Sequence, residues 1–465
     1  MVLFLYYLNK LLKRLFKGGV WIMKIINSYN VELNVNKAIK NTIFIYRGAV
    51  SFLIDVFNKE WTNLELLKLK EQNNFAEKLV HSTKDNPNPP YYFDKLFYKF
   101  PSYLRRSAIQ DALGIVSSYK SNLKNYEEDR YYAISNGRKF KKKAPKLNLN
   151  HYKCPALYKG NMFLRTGSNT ANIKIFKNGD WIWLPVKLNK QDIKYIEKNC
   201  SDKKELSPIL ITKGRKAYLK FSYEHKIKFS NKKIKDQKIL AVDLGLNHSA
   251  VCSVMSSNGT VHNRLFINQS ENKDHLNRML NHLRRKQKQS GSKAKMTKIW
   301  AKINGLNNQI VNDTVSKIVN FAKENNVDII VFEYLNFKGK KPKKFAMRLN
   351  LWAKRTIQNK VEHKAHSNGI RVNKVNCRNT SILAFDGSGK VHRDKKNNSL
   401  CTFASGKQYN CDLNATYNIG SRYYIKELKK SISEKKWSLM EAKVPLLVQR
   451  TQCTLSTLLE VNKLL

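Results

Sequence analysis

The stretch KILAVDLGLNHSAVCSVMSSNGTVHNRLFINQ, Lys238–Gln269, decides the fold. KILAVD is an apolar run closing on a carboxylate, Asp243, and reads as a buried strand. HSAVCSVMSS reads as a second strand, Asn258–Gly259 as a tight hairpin turn, and TVHNRLFINQ as a third strand. Polar helices follow over about 271–325, and VDIIVFE (Val327–Glu333) is another buried strand that ends on an acid. A basic loop and helix span 338–367, IRVNKV (Ile370–Val375) is a further strand, and a final helix starts near Asp412. Three meandering strands followed by alternating helices and strands predict a mixed sheet flanked by helices, an α/β domain.

Upstream the pattern changes. Ile25–Leu33 is strand-like, while Ala49–Trp61 and Ser102–Leu123 repeat apolar residues at three-to-four spacing and predict helices, separated by the Pro-rich loop NPNPPYYF. After the basic linker RKFKKKAPK (Arg138–Lys146), residues 153–226 alternate and turn like strands around Asn178–Gly179, a small β-unit that Ile25–Leu33 would join. The opening apolar run Val2–Leu8 is short, with no basic region before it and no small-residue cleavage site after it, so residues 1–22 are expected to be an extension outside the fold. No run reaches the ~18–20 apolar residues of a membrane span.

At 465 residues the chain has room for about three domains of ~150 residues. Its 87 Lys+Arg against 34 Asp+Glu leave a formal charge of +53, which argues against a general metabolic enzyme because such self-repulsion calls for a polyanion. Nucleic acid is the expected partner, ahead of an anionic membrane. RRKQKQSGSKAKMTKIWAK (Arg284–Lys302) holds eight basic residues and no acid, and Lys338–Lys364 ten basic residues and one acid. Mixed-sign runs are usually solvated helix faces, but runs this close to single-sign point to phosphate contacts. Arg284, Arg285, Lys286, Lys288 and Lys293 in the first, and Lys340, Lys341, Lys343, Lys344, Lys354 and Arg355 in the second, are the candidate nucleic-acid-binding residues. Trp300 and Trp352, like Trp181 and Trp183, are expected to pack rather than stack on bases, and His248, His282 and His363 show no metal spacing. Seven scattered cysteines do not form a disulfide framework and suit a reducing cytoplasm.

Three acids occupy telling places: Asp243 and Glu333 close apolar strands, and Asp412 opens a helix in NCDLNATYNIG. A single acid at a strand end is usually a cap or turn residue. Three of them around one sheet, in a chain this basic, make sense if a hard divalent cation sits between them and bridges to phosphate. Two such ions ~3.5–4 Å apart would activate water and stabilise the leaving oxygen of a phosphodiester. Gly245 would let backbone and substrate approach closely.

VDLGLN with Asp243, FEYLN with Glu333, CRNTS (Cys377–Ser381) and DLNATYNIG with Asp412 resemble the RuvC-type motifs of TnpB, the OrfB-like proteins of bacterial insertion sequences, and the related compact type V CRISPR effectors. The resemblance is strong from about 235 to 425, weaker over FPSYLRRSAIQDAL, and gives nothing past about 430. It implies a multidomain α+β protein with an RNase H-like RuvC nuclease domain (236–376 and 411–430), a small β-barrel wedge domain (23–47 and 141–235) and a helical recognition domain (48–140). A zinc-ribbon-like insert (377–410) and a C-terminal tail (431–465) complete it. It also implies a DNA endonuclease guided by an RNA from its own locus and cutting double-stranded DNA in the bacterial cytoplasm, near the nucleoid. Asp243, Glu333 and Asp412 would be the catalytic ligands of two Mg²⁺ ions, with Mn²⁺ as a substitute, and Arg378 would contact the scissile phosphate. Membrane attachment is not implied, and protein partners are unspecified. The alternatives are a nuclease-inactive RNA- and DNA-binding regulator from the same family, or a compact type V effector.

One departure stands out. The family's insert carries two Cys-x-x-Cys pairs, but Ala384 and Gly387 stand at the first and Ala404 replaces the second member of the other, leaving Cys401 with Cys411 and His392 nearby. Such a set does not make a tetrahedral site, so zinc is not expected and Cys401 is read as a packed thiol.

Overall fold

The computed structural model describes residues 22–34, 37–290, 296–334, 354–394, 397 and 399–465. They divide into two units, 26–225 and 226–465, the latter together with the residues up to Ile25.

In the first unit, β1 (Ile22–Leu33) leads into α1 (Lys37–Lys59), α2 (Trp61–Glu65), α3 (Leu69–Val80), α4 (Phe93–Leu96) and the long α5 (Ser102–Ser135). The strands β2 (Phe163–Arg165), β3 (Thr170–Lys177) and β4 (Asp180–Lys187) form one antiparallel sheet. After α6 (Lys190–Cys200), β5 (Lys204–Glu205), β6 (Ile209–Lys213) and β7 (Lys216–Lys228) build a second sheet with β1, ordered β1-β7-β5 with β6 on β7. So Ile25–Leu33 does join the downstream strands; among the described residues their pairings form two sheets and do not close a ring. Asn178 (φ +53°) and Gly179 (φ +84°) supply the two left-handed residues of the β3–β4 turn. The α1 helix starts well before residue 48 because Ala38, Ile39, Ile43 and Tyr46 already carry its apolar stripe, which shares one core with Leu104 and Ala108 of α5 and Ile173 and Ile175 of β3. Trp181 packs edge-on against Phe100 and Phe176 as expected, whereas Trp183, two residues along the edge strand β4, is 37% exposed.

The second unit opens with β8 (Lys238–Asp243), β9 (Ala250–Ser256) and β10 (Val261–Ile267), followed by α7 (Ser270–Gln289), α8 (Thr297–Glu324), β11 (Ile329–Tyr334), α9 (Lys354–His366) and β12 (Arg371–Asn376). The sheet order is β10-β9-β8-β11-β12, with the first three strands antiparallel and β8, β11 and β12 parallel, an RNase H-like arrangement. The short strands β13 (His392–Arg393), β14 (Leu400–Thr402) and β15 (Gln408–Asn410) form the insert's own sheet, and α10 (Cys411–Ser431), α11 (Glu434–Lys443) and α12 (Leu455–Lys463) end the chain.

Side chains alternate across the central sheet. Leu240, Val242, Ile330 and Phe332 point to the core shared with Val315 and Ile318 of α8 and Val361 of α9. Ile239, Ala241, Ile329 and Val331 point to the opposite core, covered by α10. The segment 431–465, expected as a tail, belongs to that second core: Trp437, Met440, Leu447, Leu455, Leu458 and Val461 are buried in it. Their apolar spacing is too short in each helix to reveal the docking partner.

Gly420 sets how closely α10 lies on the sheet. A Cβ at this position would run into the Met255 sulfur and come within 3.4 Å of Ala241 Cβ, both fully buried. Gly420→Val should therefore cost about 1–3 kcal/mol by overpacking. Urea unfolding measures it, and an unchanged midpoint would show that the contact is not tight.

Candidate active site

The register of the parallel strands brings two acids together. Ile329 to Phe332 of β11 pair in order with Ile239 to Val242 of β8, so Glu333 and Asp243 end adjacent strands at the same level. By the period of two, each lies on the side of Ile239, Ala241, Ile329 and Val331, the face that α10 covers. Asp412 is in the first turn of α10, where the Asn410 side chain caps the backbone amides of Asp412 (2.9 Å) and Leu413 (3.0 Å). The three predicted acids thus occupy one face and one edge of the sheet, each partly buried. Among the described residues no three His, Cys, Asp or Glu side chains already stand as an ion cage.

Two neighbours of the acids were not legible in the sequence. His248, to which spacing assigns no role, places Nδ1 3.3 Å from Asp412 Oδ2 and sets its ring edge-on to Phe266 at 5.3 Å. The turn that carries it needs Gly245, whose Cβ would sit 2.8 Å from the His248 carbonyl oxygen; the close approach is made by the chain's own backbone. Lys273 of α7 donates to the Leu246 carbonyl (3.1 Å) and to that of Asn247, tying the same turn down.

Arg422 is the second. It is 5% exposed and donates from Nε to Cys453 O (3.0 Å), from Nη1 to Asn376 O (3.1 Å) and Arg378 O (2.6 Å), and from Nη2 to Thr451 O (2.7 Å). Burial pulls its pKa down, and the opposing attractions include Glu333. Arg422 thereby fixes the 376–380 loop, from which buried Thr380 sets its hydroxyl against Glu333 Oε1. Arg378 itself is exposed, its amide held by Asn376 Oδ1 at 2.9 Å. Asn414 and Asn418, one turn apart on α10, clamp the next stretch: Asn414 accepts from Phe385 N and donates to Leu383 O, both at 2.8 Å, while Asn418 donates to Thr380 O at 2.9 Å. The asparagines of DLNATYN are therefore positioning residues.

The carboxylates are felt by buried thiols. Burial first, and then the Asp243 charge, push the Cys252 thiol upward. Cys401 is pushed up to about 12 by burial and by its hydrogen bond with Cys411, with Asp412 adding to the effect.

In the insert, Ala384, Cys401, Phe403 and Cys411 form a small core with Phe385, Val391 and Tyr409. Phe385 meets Phe403 at 5.3 Å, Tyr409 at 5.0 Å and Tyr417 of α10 at 5.2 Å, all edge-to-face, and Lys407 lies over the Phe385 ring at 5.0 Å. Apolar and aromatic contacts hold this core together, with Ala384 inside it. Phe403→Ala should therefore destabilise the insert by about 3–5 kcal/mol, whereas a zinc chelator should leave the wild-type melting temperature unchanged. Stoichiometric zinc by elemental analysis would overturn that expectation.

Of the basic candidates, Arg284, Arg285, Lys286 and Lys288 are exposed on α7, whose Leu280 and Leu283 face a small core with Ile303 that Trp300 joins. Arg355 is exposed on α9, which Lys354 begins. Lys293, Lys340, Lys341, Lys343 and Lys344, with Trp352, lie outside the described residues.

The sheet order, with its acids on one face, defines an RNase H-like domain. Residues 220–337 match a family described as a probable transposase, of the OrfB type, and residues 26–177 match the Aq_aa04 family. Two proteins of Aquifex aeolicus (strain VF5) are similar to the chain. The uncharacterized protein aq_aa04 is 30% identical over 117 residues, 23% of this chain and 66% of that protein. The TnpB-like protein aq_aa05 is 25% identical over 234 residues, 45% of this chain and 74% of that protein. The two are separate proteins there, whereas here the two family regions follow one another in one chain. The chain is thus similar to the TnpB (OrfB-like) proteins. Among solved structures it is similar to the Cas12f1 complex with single-guide RNA and target DNA, at TM-score 0.32 and 15% identity over 85% of this chain and 98% of that one. For CasPhi-2 (Cas12j) bound to crRNA and phosphorothioate-DNA, the TM-score is 0.44 and the identity 10% over 86% and 91%. No helix among the described residues is long and apolar enough to cross a membrane.

Proposed function

We propose that the chain is an RNA-guided DNA endonuclease of the TnpB type, hydrolysing phosphodiester bonds. The observation that carries this reading is the in-register ending of β8 and β11 on Asp243 and Glu333, on the sheet face where α10 presents Asp412. All three donors are carboxylates, the hard oxygen ligands that Mg²⁺ takes, and Mn²⁺ accepts the same set. Asp243, Glu333 and Asp412 would hold the ions, which when bound supply an activated water and charge stabilisation at the leaving oxygen. His248 orients Asp412, and Thr380 orients Glu333. Arg378, exposed two residues before that threonine, would contact the scissile phosphate.

A charge of +53 exceeds what a short DNA duplex at one site requires, and a structured RNA would neutralise it across both units. Pairing between that RNA and DNA would supply sequence specificity. The test is to sequence the RNA retained after a high-salt wash and to assay cleavage of a matching double-stranded DNA with and without it. One dominant RNA from the chain's own locus, and cleavage only in its presence, is the expected result. A mixture of cellular RNAs would count heavily against guidance, and guided binding without cleavage would favour the nuclease-inactive regulator.

A further inference from the structure

Five cations converge on a cleft of about 240 Å³ at the open edge of β12, and no carboxylate lines it: Lys374, Arg422, Lys426, Lys429 and Arg450, against a wall that includes Trp437. Among the described residues two of them have a carboxylate at ion-pair distance, Lys374 with Glu362 at 3.7 Å and Lys429 with Glu441 at 3.0 Å. Arg422 spends its donors on backbone carbonyls and brings a positive charge with no carboxylate hydrogen-bonded to it among the described residues, Glu333 acting on it only through space. Among the described residues Lys426 donates to the amide oxygen of Asn373, at 3.3 Å, and to no carboxylate. The Arg450 side chain makes no hydrogen bond or ion pair among the described residues, and its charge is felt by Glu441 through space.

Like charges gathered in a half-enclosed cleft repel one another, and an anion with several acceptor oxygens relieves all of them at once. We propose that this cleft is a phosphate-binding site, assembled by β12, α10 and the C-terminal segment that ends the chain. Lys426 fits that role: burial, with repulsion from Lys430 and Arg450, pulls its pKa down, and a bound anion would offset both effects. The cleft is lined by Asn376, whose carbonyl shares Arg422 with that of Arg378. A phosphate seated here therefore lies against the loop whose Thr380 touches Glu333. The phosphate can come from a nucleic-acid strand or from free phosphate or pyrophosphate, and the two are separable.

The experiment measures binding, not cleavage, so its failure would leave the nuclease reading untouched. Inorganic phosphate, pyrophosphate and a short single-stranded oligonucleotide with and without a 5′-phosphate are titrated calorimetrically into the full chain. The same titrations are run on Lys426→Met/Arg450→Gln and on Lys194→Gln/Lys198→Gln, which removes equal charge from α6. Removing two charge-assisted contacts should weaken phosphate binding by roughly tenfold or more, with the α6 variant unchanged. A loss that extends to the 5′-phosphorylated oligonucleotide, but spares the unphosphorylated one, identifies a strand phosphate as the ligand. A loss confined to phosphate and pyrophosphate identifies the free anion. Equal affinity of wild type and Lys426→Met/Arg450→Gln for every probe overturns the site, and Lys426→Arg, which keeps the charge, guards against a folding defect by retaining binding.

Discussion

Asp243→Asn and Asp412→Asn should each lower divalent-ion-dependent DNA cleavage by roughly a thousandfold or more, while RNA and DNA binding stay close to wild type. Each substitution keeps the shape of the side chain and removes the charged oxygen that a hard cation requires. The charge stabilisation lost is several kcal/mol, at ~1.4 kcal/mol per tenfold in rate. Glu333→Gln should behave alike, because Glu333 ends the strand beside Asp243 at the same level. His248→Ala offers a graded comparison: Asp412 keeps its charge and loses its neighbour at 3.3 Å, so cleavage should fall by less. Single-turnover cleavage with Mg²⁺, set beside filter binding at matched salt, separates the two properties. Wild-type cleavage by any one of the three acid variants would sink the assignment.

Arg422→Met should destabilise the second unit by about 3–5 kcal/mol. The guanidinium is buried and serves four carbonyls on two separate segments, two of them on the 376–378 loop and two on the 451–453 turn. Removing it leaves those acceptors without their donor. Arg422→Lys should recover only part of the loss, since an ammonium cannot reach four acceptors with a planar fork. Denaturant unfolding gives the stability, and proteolysis near residue 378 reports on the loop. A Met variant as stable as the wild type would show that the carbonyls find other donors.

The central sheet and two of its acids were legible because the signals are local. A strand's alternation and terminal carboxylate are visible in KILAVD and DIIVFE, and the Asn258–Gly259 turn is set by Gly259 at φ +89°. Two helices of the first unit, α1 and α5, were legible for the same reason, although α1 begins earlier than its most apolar stretch suggests; α3, and α6 within the strand-rich 153–226, were not. His248 escaped because its partner lies 164 residues away, and a lone histidine has no spacing to read. The departures from the Cys-x-x-Cys pairs at Ala384, Gly387 and Ala404 could be read in the sequence, but not the aromatic core of the insert, since Phe385, Phe403 and Tyr409 meet only when the insert folds onto Tyr417.

By itself the sequence determined the order of the sheet's elements, the acids that end them and the excess of positive charge, because each is a property of neighbouring residues or of composition. The tertiary structure alone decided what surrounds those acids. It brought α10 onto the acid-bearing face through Gly420, and turned Asn414, Asn418 and Arg422 into clamps on loops distant in sequence. It also drew residues 431–465 into the core, where helices too short to announce a partner bury Trp437, Leu455 and Leu458. The physical reason is one of range: side-chain periodicity and turn chemistry act over a few residues, whereas buried polar groups are satisfied by whichever donors the packed fold delivers.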